Sequence, residues 1–290
     1  MNMYVCELLT KNSLNSIKEL NTNRYEFNIH NEDFFQVYYT KGLLGKMLLR
    51  KNVYILKKNN KCIGYLWRSE DGGNHYHINS LNIVKSECNE ENLLKLISVF
   101  KYKNKACFMC KNNGYNIKLL ESIGFKKKLG TFQMECALSN EEVFVTPRHI
   151  EFKTFQRGKD EEIRCFIQNE VFKNETRKPL TVKDIIFDQC QDYYFPKGTV
   201  FIKIQDKYIG YGQIIIDNSI PLIVNVGILK KYRNNGYGEV LIKYLLNIAR
   251  EFNFNKVRIK VDWNNDSALN LYKKCGFKVL EEDYKMEIVI

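Results

Sequence analysis

The 290-residue chain is 44% hydrophobic and 13% aromatic, a globular composition that excludes an apolar-poor, disordered protein. Its length suits two domains better than one. Forty-five Lys and Arg against 33 Asp and Glu give a formal charge of +12, which favours anionic ligands through long-range attraction.

The basic residues are scattered, with the densest runs at Lys126, Lys127, Lys128 and at Lys230, Lys231, so they read as a solvated surface and no nucleic-acid partner is expected. Nine cysteines between Cys6 and Cys275 follow no dense framework and read as reduced thiols. Cys107 and Cys110 form an isolated CxxC in an apolar run, and His75 and His77 would share a face of one strand with no carboxylate or cysteine cluster to support them; neither pattern calls for a metal. MNMYVCELLTKNSLN lacks a basic segment followed by a sustained apolar stretch. The longest apolar runs, such as PLIVNVGIL, fall well short of the ~20 residues that cross a bilayer, so a cytoplasmic protein with no membrane partner is expected.

In the first half NKCIGYLW and HINSLNIV are strand-like, LLKLISVF is helical, and KACFMCKNN is another strand. SNEEVFVTPR then turns polar and carries Pro147, which sets the expected domains at 1–143 and 144–290. The second half reads as the strand HIEFKTF, the helices EIRCFIQNEVF and TVKDIIFDQCQDYYF, and the strands TVFIKIQ, KYIGYGQIIID and PLIVNVGIL. There follow the helix GYGEVLIKYLLNIAREF, the strand KVRIKVD, the helix DSALNLYKKC and the strands GFKVLE and YKMEIVI. The expected class is mixed α/β (α+β).

Two pairs of short motifs suggest a duplication. NKCIGYLW matches DKYIGYGQ, and LLESIGFKKK matches LYKKCGFKVL; Gly64 and Gly124 are 60 residues apart, Gly210 and Gly276 66.

The chemistry-bearing stretch is YRNNGYGEVLIKYLL, Tyr232 to Leu246. Its two glycines permit either a tight turn or an anion site, because a glycine turn opening a helix exposes unpaired N–H groups at the positive end of the helix dipole. A dinucleotide fingerprint is excluded, since Leu241 stands at the third glycine position and Leu229 to Arg233 separate the strand from the loop. A Walker loop is excluded because no Gly-Lys-Ser/Thr is present.

The motif R-x-x-G-x-G from Arg233 to Gly238, followed by NDSALNLYKKCGF from Asn265 to Phe277, resembles the GNAT superfamily of acyl-CoA N-acyltransferases over residues 149–290. The resemblance implies two tandem GNAT-like domains, each a mixed, mostly antiparallel twisted sheet flanked by helices. It implies that Arg233, Asn234, Asn235, Gly236, Tyr237 and Gly238 hold the pyrophosphate of acetyl-CoA, and that the backbone of Val226, Gly227 and Ile228 holds its pantetheine arm. Asn265 would contact the cofactor or cap the following helix. Tyr272 would protonate the departing thiolate, whereas by spacing alone it is a core tyrosine on an amphipathic helix. No acid lies on NSIPLIVNVGIL to serve as base; Asp217, Glu170 and Asp262 are weak substitutes.

In the first half, KSECNEEN occupies the pyrophosphate loop's place with no glycine and with Glu87, Glu90 and Glu91, and Leu120 aligns with Tyr272. A degenerate N-terminal unit beside an intact C-terminal one is similar to tandem GNAT enzymes such as mycothiol synthase, although that substrate does not follow. The expected function is an acetyl-CoA-dependent N-acetyltransferase for a primary amine of a small molecule, working by direct attack in a ternary complex. A protein or peptide N-acetyltransferase and a non-enzymatic CoA-binding sensor are the alternatives.

Overall fold

The computed structural model describes residues 3–139, 144–175 and 177–290. The chain forms two compact units, one running to Thr131 and including Glu281–Ile290, the other Phe132–Leu280. This differs from the division expected at 143/144, and residues 140–143 lie outside the described residues. The reason is the last strand. YKMEIVI alternates with Tyr284, Met286 and Ile288 buried, and alternation by itself does not say which sheet receives them.

The first unit contains β1 (Tyr4–Leu8), α1 (Lys18–Thr22), α2 (Phe34–Thr40), α3 (Leu43–Arg50), β2 (Val53–Lys58), β3 (Lys61–Gly72), β4 (His75–Ile83), α4 (Glu90–Ile97), β5 (Lys105–Lys111), α5 (Asn116–Ser122) and the start of β6 (Lys126–Ala137). The second contains β7 (Glu151–Thr154), α6 (Glu161–Val171), α7 (Val182–Gln189), β8 (Tyr194–Ile204), β9 (Lys207–Asp217), β10 (Ile220–Ile228), α8 (Tyr237–Glu251), β11 (Lys256–Asp262), α9 (Asp266–Lys274) and the start of β12 (Lys278–Val289).

Each unit is a mixed α/β structure around a mostly antiparallel sheet. Strands run β1-β2-β3-β4-β5 in the first unit, where Asp283–Val289 of β12 pair antiparallel with β5. In the second the order is β7-β8-β9-β10-β11. Each contains one parallel pair, β4 with β5 and β10 with β11, joined through a helix as parallel strands require. The second core is built on α8, whose Leu241, Ile242, Leu245 and Ala249 pack with Val200, Ile214, Ile223 and Ile259. Gly212 makes room for this packing: a Cβ there would lie 2.8 Å from Leu245 Cδ1.

The motif pairs do the same work in both units. Gly64 sits opposite Ile83, the last residue of β4, as Gly210 sits opposite Ile228, the last residue of β10. A Cβ at either glycine would meet the facing isoleucine, at 2.8 Å and 2.6 Å. Further along, Phe125 N–H donates to Leu120 O and Phe277 N–H to Tyr272 O, both at 3.0 Å, each across a left-handed glycine. Leu120 and Tyr272 are therefore structurally equivalent.

Candidate active site

The site grows from an irregularity in β10. Val224 faces Gln213 and Gly227 faces Tyr211, so Asn225 and Val226 share one place in the ladder, and Asn225 takes φ 53°. On the other side, pairing with β11 covers Leu222 and Ile223 only. Beyond them Val226–Ile228 keep β9 as a neighbour and face away from any ladder partner among the described residues. Leu229 N–H donates to Ile209 O at 2.8 Å, and a Cβ on Gly210 would lie 2.6 Å from Gly227 O. By the alternation of strand groups, the polar atoms of Val226 and Ile228 therefore point to the open side.

Gly227 is required by its neighbour on α6, because a Cβ there would lie 2.1 Å from Val171 Cγ1. Arg233 ties the same corner together: its Nε donates to Ile228 O at 2.9 Å and its Nη2 to Val171 O at 3.1 Å. The guanidinium expected at the pyrophosphate thus holds the end of β10 against α6.

The loop then opens α8. Asn234 and Gly236 both adopt left-handed φ, 64° and 80°, and Gly236 is the N-cap with no side-chain cap. The first N–H groups of a helix have no intrahelical acceptor, and here the N-cap glycine has no side chain to close them. Asn235 Nδ2 donates to Arg233 O at 2.9 Å, which braces the turn. Gly238 lets α9 approach, since a Cβ there would lie 3.2 Å from Leu271 Cδ2. Glu239 bridges Lys243 at 2.8 Å and Lys274 at 3.2 Å, and these hydrogen-bonded ammonium groups hold its carboxyl below the usual range. So α8 and α9 meet at the loop, bringing together Gly236, Tyr237, Gly238 and the residue beside Tyr272.

On α9, Asn265 is the N-cap and accepts from Ala268 N–H at 3.1 Å, the second of its two expected roles. Tyr272 is 7% exposed, packs with Phe277, and burial pushes its hydroxyl up to about 12. Cys275 is also buried, and desolvation raises its thiol to about 11. Such a thiol is a poor nucleophile at neutral pH.

The first unit lacks all three features. α4 is capped by Asn89, whose side chain accepts from Asn92 N–H at 3.0 Å, with Glu90 and Glu91 in the first turn. Leu120 has no hydroxyl. The splay between β4 and β5 exists, since their pairing ends at Ile78 and Phe108, but the chain itself fills it. Asn31 donates to Leu81 O at 2.8 Å and accepts from Leu81 N–H at 3.1 Å; Asn28 donates to Met109 O at 2.7 Å and accepts from Lys111 N–H at 3.1 Å. Glu32 N–H adds a bond to Asn79 O at 2.9 Å. A carboxamide offers the donor and acceptor of a peptide group, so each asparagine replaces one missing ladder rung. FNIHNED has no periodicity, so pattern reading missed this plug.

A polar network around the buried Arg164 and Gln213, on the α6–α7 side of β10, was also missed. Arg164, 1% exposed, pairs with Asp188 through Nη2, which also donates to Gln213 Oε1 at 3.0 Å. Gln213 Nε2 donates to Asp188 Oδ2 at 3.1 Å, Asn225 Nδ2 to Gln213 Oε1 at 3.2 Å, and Tyr193 OH to Asp188 Oδ1 at 2.9 Å. The signal available in sequence was a polar residue, Gln213, inside an otherwise apolar strand. Glu170, Asp217 and Asp262 are exposed and stand outside this network.

Residues 160–277 match the acetyltransferase (GNAT) family. These residues form a GNAT acetyltransferase domain. Among curated proteins, the chain is 35% identical over 60 residues to the probable N-acetyltransferase san of Drosophila melanogaster. That alignment covers 20% of this chain and 33% of san. It is 21% identical over 142 residues to the mycothiol acetyltransferase of Streptomyces griseus, covering 48% of this chain and 46% of that one. The chain thus spans between a third and about half the length of these two relatives. A GCN5-related N-acetyltransferase from Sphaerobacter thermophilus shares the fold over 98% of this chain and 95% of its own, at a TM-score of 0.57 and 14% identity. The GNAT domain therefore carries the open strand edge and the uncapped helix, and the unit before it repeats the GNAT order of elements with both closed.

Proposed function

We propose that the GNAT domain is an acetyl-CoA-dependent N-acetyltransferase that acetylates a primary amine of a small molecule by direct attack in a ternary complex. The supporting observation is the contrast between units: an open β10 edge, an uncapped α8 and a buried tyrosine in one, and a plugged splay, a capped helix and a leucine in the other. The N–H groups of Gly236, Tyr237 and Gly238 would meet the pyrophosphate at the positive end of α8, with Asn234 and Asn235 shaping the turn. The pantetheine arm would pair with the open-side groups of Val226 and the N–H of Ile228; Ile228 O is bonded to Arg233, which acts by fixing this edge.

As the amine nitrogen bonds to the acetyl carbon the carbon–sulfur bond breaks. Tyr272, protonated throughout the neutral range, gives its proton to the sulfur; the amine sheds a proton to solvent, and the phenolate takes one back from solvent. A thiol ordinarily titrates near ~8.5, so the burial that raises Tyr272 weakens it as an acid, and the transfer depends on the departing thiolate being desolvated as well and so made a stronger base. Because Arg164 neutralises Asp188, the network would present the acceptor with fixed amides at Gln213 and Asn225 and no free charge.

The test is release of free CoA from acetyl-CoA over a panel of amino sugars, polyamines, amino acids and peptides. Saturable turnover with a small amine is expected. Turnover with peptides alone would replace the acceptor class, and CoA binding without turnover on any amine would make the protein a sensor.

A further inference from the structure

The first unit presents an apolar helix face that no described residue covers. On α3, LLGKMLLR, Leu43 is 90% exposed, Leu44 67%, Leu48 51% and Met47 42%, and no residue of the helix is buried. At ~100° per residue these four side chains fall within an arc of about 140°. Leu49, on the opposite side, is the residue that packs against the core of the unit. The amphipathic pattern is therefore turned outward, the reverse of a helix that docks its apolar stripe inward.

The charge around this face has one sign. Lys41, Lys46, Arg50 and Lys51 flank it, and no Asp or Glu occurs between Asp33 and Glu70. Arg50 Nη1 donates to Tyr38 OH at 2.8 Å and Lys46 Nζ lies 5.5 Å from the Tyr38 ring, so two of the cations are held beside the helix. Tyr39 is exposed on the preceding turn.

We propose that α3 docks the protein on an anionic lipid surface, with Leu43, Leu44, Met47 and Leu48 entering the interface and the four cations meeting acidic headgroups. Apolar burial and attraction to anionic lipid are the two signals that together give reversible surface binding. A second copy of the chain fits less well. A two-fold contact through this face would set Lys46 and Arg50 of one copy against the same cations of the other. The expectation of no membrane partner rested on run length. No helix among the described residues is long and apolar enough to cross a membrane, but that limit does not apply to a helix lying in the surface.

The experiment is flotation of the full chain with vesicles of phosphatidylcholine alone or with about 30 mol% phosphatidylserine, at low and high salt. At least tenfold more protein should float with the anionic vesicles at low salt. Leu43→Ser/Leu44→Ser/Leu48→Ser keeps the net charge and should lose at least tenfold in binding at an unchanged melting temperature, since the side chains are exposed. Lys41→Gln/Lys51→Gln should lose the preference for anionic vesicles. The proposal is overturned if anionic vesicles recruit no more protein than neutral ones, or if either variant binds like the parent. It is also overturned if lipid-free sedimentation reveals a dimer that the triple serine variant dissolves, because a second copy would then be the occupant.

Discussion

Gly227→Ala tests whether the corner between β10 and α6 holds the open strand edge in place. The added Cβ would lie 2.1 Å from Val171 Cγ1, against 3.4–4 Å for an ordinary contact, so one side must move by more than 1 Å. Val171 is β-branched and helical, which leaves it essentially one χ1 rotamer, so the end of α6 moves instead. That shift carries Val171 O away from Arg233 Nη2, now 3.1 Å distant. Overpacking costs about 1–3 kcal/mol and the lost hydrogen bond about 1 kcal/mol more. A total of roughly 2–4 kcal/mol corresponds to a melting point lower by roughly 5–10 °C. The same displacement should weaken coenzyme A binding, measured by calorimetry. Val171→Ala removes the obstructing methyl groups, so the double variant should recover at least half of the loss, a coupling of about 1–2 kcal/mol in a double-mutant cycle. A Gly227→Ala protein that melts with the parent, or a double variant whose losses simply add, would refute the steric argument.

Tyr272→Phe should lower turnover on an identified acceptor by ~100-fold or more while coenzyme A affinity changes less than twofold. Because the Tyr272 pKa is raised in the fold, its neutral form is favoured and the associated stability is complete below pH ~10 and lost as pH climbs toward 12; the parent should lose more stability than the phenylalanine variant in that window. Coenzyme A should bind once per chain by calorimetry, and Asn28→Ala/Asn31→Ala should destabilise the first unit by about 2–5 kcal/mol without altering that stoichiometry, because both amides bond buried backbone groups. Asp188→Ala should cost about 3–5 kcal/mol in chemical denaturation by leaving the buried Arg164 cation unpaired, whereas Asp188→Asn, which retains the hydrogen bonds, should cost less.

The sequence by itself determined what depends on local backbone need and on periodicity. Gly236 and Gly238 make a turn that opens a helix, Gly64 and Gly210 recur in one short motif, Gly124 and Gly276 in another, and α8 carries an apolar stripe; each of these is a property of a few residues and reads directly from their order. The equivalence of Leu120 and Tyr272 followed from one short motif, because one glycine turn fixes the offset. What tertiary structure decided were contacts between distant segments. The return of Asp283–Val289 to β5 moved the division of the units, since strand alternation specifies a face but not a partner. Arg233 turned to Ile228 and Val171 because two carbonyls at the ends of β10 and α6 lie within its reach, and those carbonyls are 57 residues apart in the chain. Asn28 and Asn31 plug the first unit, and Arg164, Asp188, Gln213 and Asn225 meet across four elements, for the same reason. A polar side chain advertises its donors and acceptors in the sequence, but only the fold brings to it the group that will satisfy them.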